Sequence, residues 1–241
     1  MNSGKNITKN ALLNVIKQLC AIIFPLITFP YATRILGVDN FGKVNFTASI
    51  VSYISLLASL GISNYAIREG AAIKNDKKKL LEFSNQIFSI NILSMFFSYL
   101  LMILLIIFWP KLKGYSILLI IQSSSVFFTT IGTDWINSIY EDYKYITIRY
   151  IISQVLSLIL MFIFVKNSDD YLLYALVMIS SSIIANILNY IYVRKKYGMN
   201  LKFVREMNYK KHLKPILILF GTAVSSIIYV NSDITILGIM K

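Results

Sequence analysis

The chain has 241 residues, a formal charge of +13 and a mean hydropathy of +0.65, and 56% of its residues are apolar. That share is too high for an ordinary soluble domain of this length. One cysteine (Cys20) and one histidine (His212) supply neither an intrachain disulfide nor a metal-ligand set, so no cofactor or metal is expected.

Seven apolar runs follow one another: Ala11–Tyr31, Phe41–Asn64, Phe83–Trp109, Ser116–Tyr140, Ile146–Val165, Tyr171–Val193 and Pro215–Met240. Each reaches the roughly 20 residues that cross a hydrocarbon core as helix. Backbone groups in lipid must be satisfied within the segment, so helices are the expected spanning element. The fold class is therefore an all-α polytopic membrane bundle. Lys5 and Lys9 precede the first run as in a secretory signal. The run is too long for one and lacks a cleavage site, so it reads as a retained helix.

The breaks between the runs set the orientation. With the N-terminus inside, 17 basic residues fall on inner segments and 6 on outer ones, counting terminal Lys241, with Lys17 inside the first span. This asymmetry predicts an N-terminus on the cytoplasmic side of an inner-membrane-type protein. It also accounts for the charge without nucleic acid as a partner. The outer loops are short, at 32–40, 110–115 and 166–170. The inner breaks are Glu69–Glu82, with its KNDKKK run, and Arg194–Lys214, where Leu201, Val204, Met207 and Leu213 sketch an amphipathic stretch. Both inner breaks read first as solvated, headgroup-facing linkers.

Polar residues recur at spacings of three and four within the spans, which puts each set on one helical face. The first span has Asn14, Gln18 and Thr28. The second has Asn45, Ser49, Ser52, Ser55 and Ser59, the third Asn91, Ser94 and Ser98, and the fourth Gln122, Ser125, Thr129 and Asn137. The seventh has Thr222, Ser226, Tyr229 and Asp233. A single such stripe reads equally as interhelical glue; stripes in five spans favour a hydrated cavity. Ionisable residues at or within spans are Lys17, Arg34, Arg68, Asp134, Arg149 and Asp233. Charge there is costly and points to function. Asp134, Arg68 and Arg149 fall at the inner edge and Arg34 at the outer edge, where an anchoring role competes.

The first span ends in "YATRILG" (Tyr31–Gly37) and the seventh in "SDITILG" (Ser232–Gly238), and both run from inside to outside. A parallel repeat is the implied architecture. Residues 1–193 are expected to form a six-helix lobe, 194–214 a basic cytoplasmic linker, and 215–241 the first helix of a second lobe, in a protein about twice as long. "GVDNFGKV" (Gly37–Val44) lacks the final Ser/Thr and the preceding strand of a phosphate loop. Glu141/Asp142 and Asp169/Asp170 lack a partner histidine, so a hydrolase finds no support.

Two segments resemble a known family. "FPYATRILGVDNFG" (Phe29–Gly42) resembles the signature closing the first helix of repeat-unit flippases for O-antigen and capsular polysaccharides. "DWINSIYEDYKYITIR" (Asp134–Arg149) resembles their helix 4–5 junction, with Ser138–Tyr140 in place of the usual glycine neighbourhood; "REGA" (Arg68–Ala71) and "NSDITILG" (Asn231–Gly238) also fit. The family belongs to the multidrug/oligosaccharidyl-lipid/polysaccharide exporter superfamily. The resemblance implies a two-lobe, non-enzymatic transporter. It would move a polyprenyl-pyrophosphate-linked oligosaccharide across the membrane by alternating access. A coupling proton or sodium ion, membrane lipid and the polysaccharide assembly machinery would be its other partners. On this view Lys17, Arg34, Arg68 and Arg149 are candidates for the pyrophosphate. Asn45, Ser52, Ser59, Gln122 and Thr129 are candidates for sugar-facing walls, and Asp134 is a gate or coupling candidate. Pro25 and Pro30 would bend a gating helix. Asp233 would close an outer gate with Arg34 or hold the coupling ion. The competing readings are a drug/cation antiporter of the same superfamily, a membrane polymerase or glycosyltransferase, and an assembly scaffold.

Overall fold

The computed structural model describes residues 2–205 and 208–240. Met207 of the linker and terminal Lys241 lie outside them, as do the side chains of Lys5 and Lys210. Every regular element among the described residues is helical, and the chain is an all-α, multi-pass membrane protein. Its helices are α1 (Asn2–Ser59), α2 (Ile62–Ile73), α3 (Lys77–Phe108), the single turn α4 (Pro110–Lys113), α5 (Ser116–Gly132), the short α6 (Trp135–Ile139), α7 (Tyr143–Phe164), α8 (Tyr171–Tyr197) and α9 (Tyr209–Met240).

The first outer loop, expected over 32–40, shrinks to one residue. Helix continues on both sides of Gly37, which alone is non-helical (φ 72, ψ 169). Only glycine adopts that backbone conformation readily. The Phe29 and Phe41 rings meet edge to face, 4.9 Å between centroids. Twelve residues of straight helix would hold them about 18 Å apart, so α1 folds back on itself at Gly37 and supplies two spans. The fourth span also differs from expectation. It stops at Gly132 rather than Tyr140 because Thr133 turns left-handed (φ 48), and the chain restarts as α6.

The linker after α8, expected as a solvated stretch, is in part packed on the bundle. Gly198 ends α8 in a left-handed cap (φ 65), and residues 199–204 run without regular structure along α3. There the Lys202 and Val204 amides donate to Asn85 Oδ1 (2.9 Å) and Ser89 Oγ (2.8 Å), one helical turn apart. His212 lies inside α9, buried, with Nδ1 2.8 Å from the Tyr65 hydroxyl and Nε2 3.0 Å from Gln86 Oε1. Linker and histidine together fasten the start of α9 to α2 and α3.

Cross-contacts sort the breaks into two ends. At one, Asn40 bonds the Ser168 carbonyl and Lys111 the Ile239 carbonyl. At the other, Lys74 pairs with Glu141 and Lys196 with Asp142. The grouping matches the alternation of loops expected from the sequence. Large apolar side chains left exposed line the first half of α1 (Leu12, Leu19, Leu26) and α9 (Ile218, Val230, Leu237). Where α9 does pack, it packs closely: a Cβ on Gly238 would come 2.0 Å from Phe46. The two glycines of the I-L-G echo therefore do different work, Gly37 in a bend and Gly238 in a helix contact.

Asp142 is the hub of its end. Its Oδ2 accepts from Tyr192 (2.6 Å), Lys196 (2.6 Å) and Tyr197 (2.8 Å). Tyr145 stacks on Tyr192 and Tyr140 on Tyr197. Burial pushes the carboxyl up, but the bonds from Lys196, Tyr192 and Tyr197 outweigh it and hold the group below the usual carboxylate range. A carboxylate depressed on folding adds stability above its unfolded value, about pH 3.9. That stability is lost as pH falls through the lower folded value. Asp142→Asn is expected to lower the melting temperature of the detergent-solubilised protein at pH 7. The gap to wild type should shrink below about pH 4, as read by a thermal scan at each pH.

Candidate functional site

Two clefts in the bundle gather most of the polar candidates. The first, about 260 Å³, lies between the first half of α1, α5, α7 and α8. It is lined by Lys17, Thr129, Asp134, Arg149, Tyr150 and Ser153, with Ser181, Ser182 and Asn186 from α8. The second, about 310 Å³, lies between the second half of α1, α5 and α8 and is lined by Asn45, Ser52, Ser55, Gln122, Ser125 and Tyr174.

The local sequence explains why these side chains face inward. Arg149, Ser153, Ser157 and Met161 recur every four residues on α7 and are all buried. Ser157 donates to the Val177 carbonyl (2.8 Å) and Thr147 to Leu13 (3.1 Å), which draw α8 and the start of α1 onto α7. Arg149 is 6% exposed. Its Nη2 pairs with Asp134 Oδ1, and its guanidinium lies 5.3 Å from the Tyr145 ring centre. Asp134 also accepts from Asn137, which donates to Asn189; Asn189 in turn donates to the Gly132 carbonyl (2.5 Å). The break after α5 is thus tied to α7 and α8 by buried side chains. Nε and Nη1 of Arg149 and Oγ of Ser153 are buried and have no hydrogen-bond partner among the described residues. Each unsatisfied buried group costs about 1–3 kcal/mol.

In the second cleft Gln122 donates to the Val44 carbonyl (3.0 Å), leaving its buried Oε1 without a partner among the described residues. Ser52, Ser125 and Asn45 return bonds to their own helices, at Ser49, Gln122 and Phe41. This keeps them satisfied while they line the space. The stripe on α3 serves the other purpose weighed from the sequence. Asn91 and Ser94 donate to the Ala58 and Leu57 carbonyls of α1 and act as interhelical glue.

The remaining candidates scatter. Lys17 is half-buried, 5.7 Å from the Tyr150 ring centre, and shares the first cleft with Arg149. Arg68 is exposed on α2 beside Glu69. Arg34, at the Gly37 end, and Asp233, on α9, are both exposed, and no ion pair joins them among the described residues. Ser59 is exposed and bonds its own helix; Pro25 is exposed within α1. Sequence reasoning missed Tyr150, Ser153, Asn186 and Asn189. The i, i+4 spacing of Arg149, Ser153 and Ser157, and of Ser182 and Asn186, would have disclosed stripes in the fifth and sixth spans as well.

Residues 7–241 match the family model described as "Polysaccharide biosynthesis protein". A protein of Escherichia coli K12 named "Putative O-antigen transporter" is 22% identical over 189 residues, 78% of this chain and 46% of that protein. One of the same name from Shigella dysenteriae is 26% identical over 199 residues, 81% and 49%. The chain spans about half the length of these curated relatives. No solved structure matches it.

The first cleft depends on a close approach. A Cβ on Gly132 would lie 2.1 Å from Asn186 Oδ1 and 2.8 Å from its Cβ, so α8 itself would have to shift. Gly132→Ala is expected to cost about 1–3 kcal/mol, the range for an overpacked contact, as a lower melting temperature. Gly132→Ala combined with Asn186→Ala, which removes Oδ1 and Cγ but keeps the Cβ, should recover only part of the loss.

Proposed function

The chain belongs to the polysaccharide biosynthesis protein family, and from that premise we propose that it is the first lobe, with the first helix of the second, of a non-enzymatic exporter. The substrate is a polyprenyl-pyrophosphate-linked oligosaccharide for surface polysaccharide, moved between leaflets by alternating access. The names of its relatives support polysaccharide export. The observation that carries the finer reading is the second cleft, where amides and hydroxyls share the wall with apolar residues such as Val44, Val51 and Met178, and where the buried Gln122 acceptor has no partner among the described residues. A sugar offers hydroxyl donors to such a wall, and a buried acceptor discriminates strongly for a donor. A drug/cation antiporter fits less well, because the one carboxylate lining either cleft, Asp134, is already paired with Arg149.

The proposed setting is a bacterial inner membrane, N-terminus in the cytoplasm, with the Asp142 end inward. The exposed faces of α9 and the first half of α1 would then meet the rest of the second lobe, and a proton or sodium ion would couple transport. In a Cys20→Ala background, a cysteine at Lys166 should label with an impermeant maleimide from outside intact cells, and one at Asn75 should not. Equal labelling would reject the orientation.

The transport reading is tested by export in cells lacking their own flippase. At matched protein levels, Gln122→Leu and Asn45→Leu in the full-length protein should each lower surface polymer roughly tenfold, the equivalent of one lost 1.4 kcal/mol interaction. Normal export by both would overturn it.

A further inference from the structure

We propose that the cleft between α3, α5, the end of α8 and the linker that follows holds one anionic phospholipid, with an acyl chain in its apolar interior and the phosphate on Arg194. The proposal is independent of transport. It takes only the leaflet, the inner one, from the proposed orientation.

The fold makes the space. Gly198 turns left-handed and sends residues 199–204 back along α3, where the Lys202 and Val204 amides are bonded. Between this returning segment and the helices lies a cleft of about 250 Å³. Its walls include Phe88 and Ile92 of α3, Ile131 of α5, Val193 of α8, and Met199 and Leu201 of the linker. Val193 and Met199 are buried and the other four half-buried, so the apolar surface is lined but not closed over.

Arg194 lines the same cleft. Its guanidinium lies 4.0 Å from the Tyr190 ring centre, and it joins no ion pair among the described residues. A guanidinium held by its face keeps the donors along its edges for a phosphate. A second cation flanks Met199: a Cβ on Gly198 would come 3.4 Å from Lys77 Nζ. The acidic residues nearby are engaged elsewhere. Glu69 pairs with Arg68, Asp76 with Lys79, Glu141 with Lys74 and Asp142 with Lys196. The cleft therefore faces a surplus of positive charge.

Depth agrees with chemistry. Arg194 stands 23 residues beyond Tyr171, the start of α8. That is about 34 Å along a straight helix, just past a hydrocarbon core of about 30 Å. The guanidinium sits at headgroup level and the apolar walls reach inward from it. An anionic phospholipid satisfies both halves, its chain covering the apolar walls and its phosphate meeting the free donors. A zwitterionic lipid offers the same chain but sets its own ammonium against the basic surface. A larger cleft, about 510 Å³ beside Leu57, Ile90 and Phe97, has no cation in its lining, and its Ser94 and Ser98 already bond carbonyls. Nothing there selects a headgroup.

The test is native mass spectrometry of the purified full-length protein with dioleoyl phosphatidylglycerol or dioleoyl phosphatidylcholine added to the detergent. We expect one phosphatidylglycerol bound about tenfold more tightly than phosphatidylcholine, the worth of one charge-assisted contact. Arg194→Gln should remove that preference. Lys78→Gln, which deletes an exposed charge outside the cleft lining, should leave it intact. Leu201→Trp fills the apolar interior and should weaken both lipids. Arg194→Gln, at an exposed position, keeps the proposal testable if Leu201→Trp does not fold. Equal binding of the two lipids overturns the site. So does an equal loss of preference in the Arg194 and Lys78 variants, which would mean diffuse attraction to the basic surface, or undiminished binding by a folded Leu201→Trp. Displacement of phosphatidylglycerol by a polyprenyl pyrophosphate would also overturn it, by giving the cleft to a different lipid.

Discussion

A guanidinium buried among membrane-spanning helices sets the terms for the rest of this structure. Arg149 cannot be desolvated without a counter-charge, and Asp134 supplies it from the break between α5 and α6. To bring that carboxylate into reach, the fourth span gives up its last turns: Thr133 turns left-handed and α6 starts anew. The freed Gly132 carbonyl is then taken by Asn189 of α8, and Asn137 bridges Asn189 to Asp134. One ion pair thus fixes where α5 stops and how α7 and α8 sit against it. It also leaves a cleft whose cation is only partly satisfied.

The same rule, that polar groups in the membrane must find partners inside the protein, divides the polar stripes into two kinds. Those of α3 reach across to carbonyls of α1 and hold the bundle together. Those of the second half of α1 and of α5 return most hydroxyls to their own helices, so the faces can line open space. Thr235 of α9 is intermediate, 2.9 Å from Ser49 across the contact that Gly238 makes possible.

Much of this was legible in the sequence because spans and stripes are periodic. Length and apolarity located the helices, and spacings of three and four placed Asn45, Ser52 and Gln122 on faces that share a cleft. What stayed hidden was pairing. Asp134 and Arg149 each read as a lone interfacial charge, since no periodicity relates two residues across a break. The tightness of the Gly37 turn was equally obscure: a nine-residue polar interval looks like a loop until one glycine takes a conformation closed to other residues. His212 read as a linker residue, because nothing local announces that Tyr65 and Gln86 converge on it.

The central claim is that Asp134 and Arg149 act as one unit on which the α5–α7–α8 packing rests. A double-mutant cycle in the full-length protein, with Asp134→Asn, Arg149→Gln and both together, measures that directly as unfolding free energy in detergent. The account predicts that the double variant loses less than the sum of the singles by at least about 1 kcal/mol, since each single change strands its partner. Losses that simply add would contradict it.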